Sequence, residues 1–165
     1  MDLAEQVGPT AGRRVRLWIC VLATGAGAWA VVGSAWIFPQ LSANSDEGIY
    51  LLQADTLRSG RLAPATPETE ADAFVPWFAT IRDDQYILKY TPVHATVVAA
   101  GDVLPGPRRV ALAFVAAAQV VAVAALAGEL GLVGRTRVLA AGLFAFSPLV
   151  LQLGITYLPY GTSLV

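Results

Sequence analysis

The chain has 165 residues, 12 acids against 11 lysines and arginines, a formal charge of -1 and no basic patch, which excludes a nucleic-acid binder. Apolar types make up 56% of it and charged types only 14%, against about a quarter charged in ordinary soluble domains, and the mean hydropathy is +0.59, so part of its solvent is expected to be lipid. A single cysteine, Cys20, and a single histidine, His94, exclude a disulfide framework, a paired-thiolate metal site and a multi-histidine metal site.

Residues 1–16 read as a cytoplasmic N-terminus that ends in Arg13, Arg14 and Arg16. From Leu17 to Phe38 the run "LWICVLATGAGAWAVVGSAWIF" carries no charge. It is long enough to cross a hydrocarbon core of roughly 30 Å as a helix, so 17–41 is expected to be a first span. The basic residues ahead of it place the N-terminus inside and Asp46 outside. A secretory signal peptide is the plainer alternative, but its apolar region usually has only about 7 to 15 residues, and further apolar runs follow downstream.

Residues 42–107 hold nine of the twelve acids, with prolines at 64, 67, 76, 92, 105 and 107. A polar segment of this length between spans is expected to be an external loop with structure or function of its own. Within it "DEGIYLLQADTLRSG" reads as a short amphipathic helix, with Ile49, Leu52 and Leu57 on one face and Gly60 as its stop. "LAPATPETEADAFVPWF" reads as loop, and "PVHATVVAAGDVL" as a second short helix led by Pro92. That helix is too short to span and is expected to lie in the interface.

Residues 108–133 are a second span behind Arg108 and Arg109, 134–137 ("GRTR") a cytoplasmic loop, and 138–158 a third span. Residues 159–165 read as the start of a further, truncated membrane segment. Arg135 and Arg137 then fall inside, as the positive-inside rule asks, while Arg108 and Arg109 are expected to snorkel to headgroup phosphates. Glu129 is expected to snorkel or pair near Arg135, and Gln119 to bond to another helix. Trp18, Trp29, Trp36 and Trp77 are partly consistent with interfacial belts, and the many alanines and glycines fit close helix packing. The fold expected is an all-α integral membrane helical bundle of about three to four transmembrane helices, whose external loop carries short amphipathic interfacial helices.

Asp46 and Glu47 sit at the outer end of the first span, where a side chain meets both water-soluble groups and lipid heads. As acids in the first turn of a helix they also complement its macrodipole, which explains them without chemistry. Tyr50 lies one turn after Asp46 and shares its side of a helix. In "DDQYILKYTP", Tyr86, Lys89 and Tyr90 precede Pro92 and His94, while Asp83 and Asp84 read as a solvated turn. A carboxylate can take a proton from an attacking hydroxyl, and an ammonium with phenols can hold a phosphate leaving group.

A basic start, one span, "DEGIY" at its external end, a helix ending "LRSG", then "LKYTP" before an apolar segment and later "FSPLVLQLGITYLPY" resembles the N-terminal part of the GT-C superfamily of integral-membrane glycosyltransferases. The likeness is to its protein mannosyltransferase and aminoarabinose transferase branches. It covers about residues 15–160 and departs from the pattern at "YTPVHA", where a double proline is often found.

The resemblance implies an N-terminal fragment, expected to be inactive alone, of a cell-membrane, multi-pass enzyme that moves a sugar from a polyprenyl-phosphate-linked donor to an acceptor glycan, lipid or protein on the external face. It implies Asp46 and Glu47 as the catalytic acidic pair, and Tyr50, Tyr86 and Lys89 as substrate-binding groups; Tyr90 and His94, which flank Pro92 beside them, are expected to contact the substrate too. No cofactor is implied with certainty; some relatives use a divalent metal, for which no ligands are specified here. The alternative is a non-catalytic multi-span membrane protein: a subunit, a transporter fragment or a degenerate pseudoenzyme.

Overall fold

The computed structural model describes residues 9–66, 75–76, 78–103, 108–160 and 162. They form α1 (Pro9–Ile37), α2 (Ser45–Arg58), β1 (Ala79–Arg82), β2 (Gln85–Leu88), α3 (Val93–Gly101), α4 (Val110–Glu129), α5 (Gly134–Ala145) and α6 (Pro148–Leu153). Among the described residues the architecture is a helical bundle of six helices with one small hairpin. Two helices, α1 and α4, are long and apolar enough to cross a membrane.

Helix α1 runs for 29 residues, about 44 Å. It begins well before the expected span, so Arg13, Arg14 and Arg16 lie within its early turns. Arginine is a good helix former, and nothing stops the helix there. Pro39 ends it just short of the expected limit at 41, because proline disfavours helical geometry in the residue before it. Helix α4 packs along α1, and α5 joins both.

The interior is built from small residues in two clusters. Ile19, Ala23, Val120, Ala124, Ala141 and Ala145 join α1, α4 and α5. Ala30, Ala54, Ala95, Val98, Leu112, Ala116 and Tyr157 join the other end of α1 and α4 to α2 and α3. At Gly27 a Cβ would lie 3.0 Å from the Ala113 carbonyl oxygen, so this glycine sets how closely α1 and α4 approach.

Helix α2 forms where expected. Asn44 caps it, its side-chain oxygen accepting from Asp46 N at 3.0 Å, and Gly60 follows its end at φ +74°. Its buried face is Glu47, Ile49, Tyr50, Gln53, Ala54 and Thr56, more polar than the Ile49, Leu52 and Leu57 stripe. The expected loop gives way to a hairpin after residue 78, with Ala79 opposite Leu88 and Ile81 opposite Tyr86. Asp83 and Asp84 make its tip, at φ +50° and +55°, the left-handed pair that a type I′ turn requires. The expected loop at 67–74 and Trp77 lie outside the described residues.

The expected third span at 138–158 is not one helix. Helix α5 begins already at Gly134, where a loop was expected, and stops at Ala145; α6 is a single short helix after Pro148. Pro148 lacks the N–H that would continue α5 and holds Ser147 extended, at ψ 130°. After α6 the chain turns back over the α2–α3 end of the bundle.

The outer arginines are also placed differently from expectation. Arg108 binds the carboxylates of Asp102, at 2.9 Å and 3.0 Å, and Asp55, and Arg58 reaches Asp102 at 3.5 Å. Arg109 donates to the Pro39 carbonyl at 2.5 Å. Protein carboxylates in reach give charge-assisted bonds, so Arg108 ties α2 to the α3–α4 connection instead of reaching outward. Glu129 is exposed and outside the ion pairs of the described residues.

Candidate functional site

Successive residues of a helix point about 100° apart, so the first turn of α2 sends its two acids in different directions. Glu47 turns inward and is 1% exposed. Its Oε2 accepts from Ser42 N and its Oε1 from Tyr157 N, both at 2.7 Å. The carboxylate therefore ties the segment after α1 to the segment after α6. With both oxygens held by backbone donors, it is placed to position the site.

Asp46 stays half-buried and faces the aromatic residues. One turn on, Tyr50 is buried. Its ring stacks on Tyr90 with centroids 5.0 Å apart and meets His94 edge-on, also at 5.0 Å. Burial first, then Tyr90, Asp46 and Tyr160, push the Tyr50 phenol up to about 12. The Tyr90 phenol is raised as well, by desolvation and then by its hydrogen bond to Asp46. Both hydroxyls stay protonated and able to donate beside the Asp46 carboxylate.

His94 is buried, and its Nε2 lies 2.8 Å from the Tyr157 carbonyl oxygen. A carbonyl only accepts, so Nε2 carries the proton and Nδ1 is left as an acceptor, 3.2 Å from the Thr162 hydroxyl. Burial lowers its pKa, with the Tyr157 bond opposing. His94 is thus a neutral strut that also supports the edge of Tyr50, a structural placement for a residue expected to bind substrate.

The β2–α3 connection supplies the rim. Lys89 is exposed, its Nζ 4.4 Å from the Phe78 ring centroid and 5.6 Å from that of Tyr90, within cation–π range. Phe78 holds φ +66°, costly for a bulky residue, while its carbonyl accepts from Lys89 N at 3.0 Å. Tyr86, by contrast, is buried on the hairpin face it shares with Ile81. The fold therefore gathers Asp46, Tyr50, Lys89, Tyr90 and His94, turns Glu47 inward to backbone donors and buries Tyr86 in the hairpin.

Phe78, Gln53, Tyr157 and Tyr160 join the site without being among the residues expected from the sequence, Tyr157 and Tyr160 falling only within the stretch "FSPLVLQLGITYLPY". Gln53 had a local signal, since it lies one turn after Tyr50. It is buried, donates to the Tyr90 carbonyl at 3.3 Å and keeps its Oε1 without a partner. Among the described residues no three His, Cys, Asp or Glu are grouped to hold a metal ion, and Glu47 has both oxygens engaged. No step through a divalent metal follows.

The chain matches no protein-family model, no curated protein and no solved structure. What the site can do rests on its own chemistry: one half-buried carboxylate, two phenols that stay protonated, and an ammonium over aromatic faces.

Proposed function

We propose that this chain is a membrane-embedded unit of a glycosyltransferase that takes its sugar from a polyprenyl-phosphate carrier. The observation that carries the reading is the convergence of Asp46 with Tyr50, Tyr90 and Lys89 at one end of two span-length helices. Asp46 takes the proton of the acceptor hydroxyl as that oxygen bonds to the sugar's anomeric carbon. The bond from that carbon to the phosphate oxygen breaks with inversion, and the polyprenyl phosphate leaves with the electron pair. Lys89 and the two phenols stabilise the charge on the departing phosphate.

Membrane placement is supported by what lies outside the bundle. Only 17% of the most apolar window of α1 is buried, whereas the core helix of a soluble protein is mostly covered. Trp18 and Trp36, 56% and 80% exposed, lie about 27 Å apart along α1, close to a hydrocarbon core of roughly 30 Å. Exposed Phe114, Val121 and Leu126 continue the apolar surface on α4.

The test is reconstitution of the chain in liposomes, within the full-length protein or with a complementing C-terminal chain, and with a panel of polyprenyl-phosphate sugars, measuring release of polyprenyl phosphate. Asp46→Asn keeps the shape and is expected to lower turnover roughly 10²- to 10⁴-fold. Undiminished turnover in that variant removes Asp46 as the base. Wild-type protein that binds the carrier without turnover marks the non-catalytic alternative.

A further inference from the structure

A second feature lies between α1 and α5, away from Asp46 and the first turn of α2. A cavity of about 620 Å³ opens between the early turns of α1 and the start of α5, with Arg14 and Arg135 on either side and Trp18 on its wall. A second, of about 360 Å³, lies further along the same two helices and reaches Trp29 and Leu151 of α6. The α1 residues involved, 11, 14, 15 and 18 in the first cavity and 21, 22, 25, 26 and 29 in the second, recur at three- and four-residue steps and share one side of the helix, so both cavities lie on one helical seam. The two cavities follow one another along this groove between the helices, the first basic and the second apolar.

Among the described residues neither Arg14 nor Arg135 has an ion-pair partner, and both are exposed. Helix α5 is capped by Val133, which makes no side-chain hydrogen bond to it. The positive end of its dipole therefore stands beside Arg135. From Arg14 to Trp29 the groove extends about 22 Å, more than a half-bilayer depth of about 15 Å. A molecule that complements it has a phosphate at one end and a hydrocarbon chain at the other.

We propose that the α1–α5 groove binds an anionic phospholipid, its headgroup phosphate between Arg14 and Arg135 and one acyl chain laid along the seam toward Trp29. This rests on the membrane placement above and not on the glycosyltransferase chemistry. The lipid would hold α5, which is otherwise broken from α6 at Pro148, against α1. Basic pockets between helices at the cytoplasmic surface favour anionic lipid in this way.

The test is native mass spectrometry of the chain extracted in mild detergent and titrated with dioleoyl phosphatidylglycerol or dioleoyl phosphatidylcholine. Wild-type protein is expected to retain the anionic lipid preferentially. Arg14→Gln with Arg135→Gln is expected to weaken that binding on the order of thirtyfold. Arg82→Gln, on the exposed hairpin, leaves the preference intact. Equal retention of both lipids, an unchanged preference in the double variant, displacement by millimolar inorganic phosphate, or a lipid-free dimer overturns the proposal. Alkaline carbonate extraction separates the underlying readings: a chain released from membranes sinks the membrane placement and the lipid site together, whereas an integral chain without lipid preference sinks the lipid site alone.

Discussion

Two neighbouring carboxylates, Asp46 and Glu47, end in opposite situations because a helix rotates them apart. Glu47→Gln keeps the shape but can accept from only one of the Ser42 and Tyr157 amides and turns a donor toward the other. A buried donor left unpaired costs about 1–3 kcal/mol, so the thermal midpoint in detergent is expected to fall, while Asp46→Asn stays within about 0.5 kcal/mol of wild type. Equal midpoints for Glu47→Gln and wild type would remove the tie. His94 gives a pH dependence with a definite sign. Its pKa in the folded chain lies below the ordinary 6.5, so the unfolded chain takes up the proton first as pH falls. Stability is expected to drop on going from pH 7 below about 6.5, toward the lower folded value. His94→Gln should flatten that part of a midpoint-against-pH curve; an unchanged slope assigns it to other groups.

At the scale of elements, α2 was legible because its apolar spacing, first-turn acids and Gly60 are all local signals. The hairpin was not: its strands are four residues each, and its tip is Asp-Asp where Asn-Gly would announce a type I′ turn. Left-handed geometry is costly at non-glycine residues, so Asp83→Asn with Asp84→Gly is expected to stabilise the hairpin by about 1 kcal/mol. Slower amide exchange at Thr80 and Ile87, which face each other across the strands, would register it, and faster exchange would contradict the turn geometry. The broken third span carried its signal in Pro148, which the high apolarity of the surrounding run outweighed.

For the whole molecule, the proposed arrangement puts the hairpin and the Arg135 end of α5 on opposite sides of a bilayer. In a Cys20→Ala background, Asp83→Cys is expected to react with a membrane-impermeant maleimide in intact cells, and Arg135→Cys only after permeabilisation. Labelling of both, or the reverse order, would overturn the orientation. What the sequence by itself determined was local or compositional: the two long apolar helices, α2 with Asp46 and Tyr50 one turn apart, and an aromatic and basic stretch before Pro92. Folding alone decided that Glu47 faces inward to Tyr157, 110 residues away, that His94 supports Tyr50, and that Lys89 lies over Phe78 and Tyr90. The physical reason is that helix-forming signals act over one or two turns, while a partner for a buried carboxylate or ring is chosen by packing among segments distant in the chain.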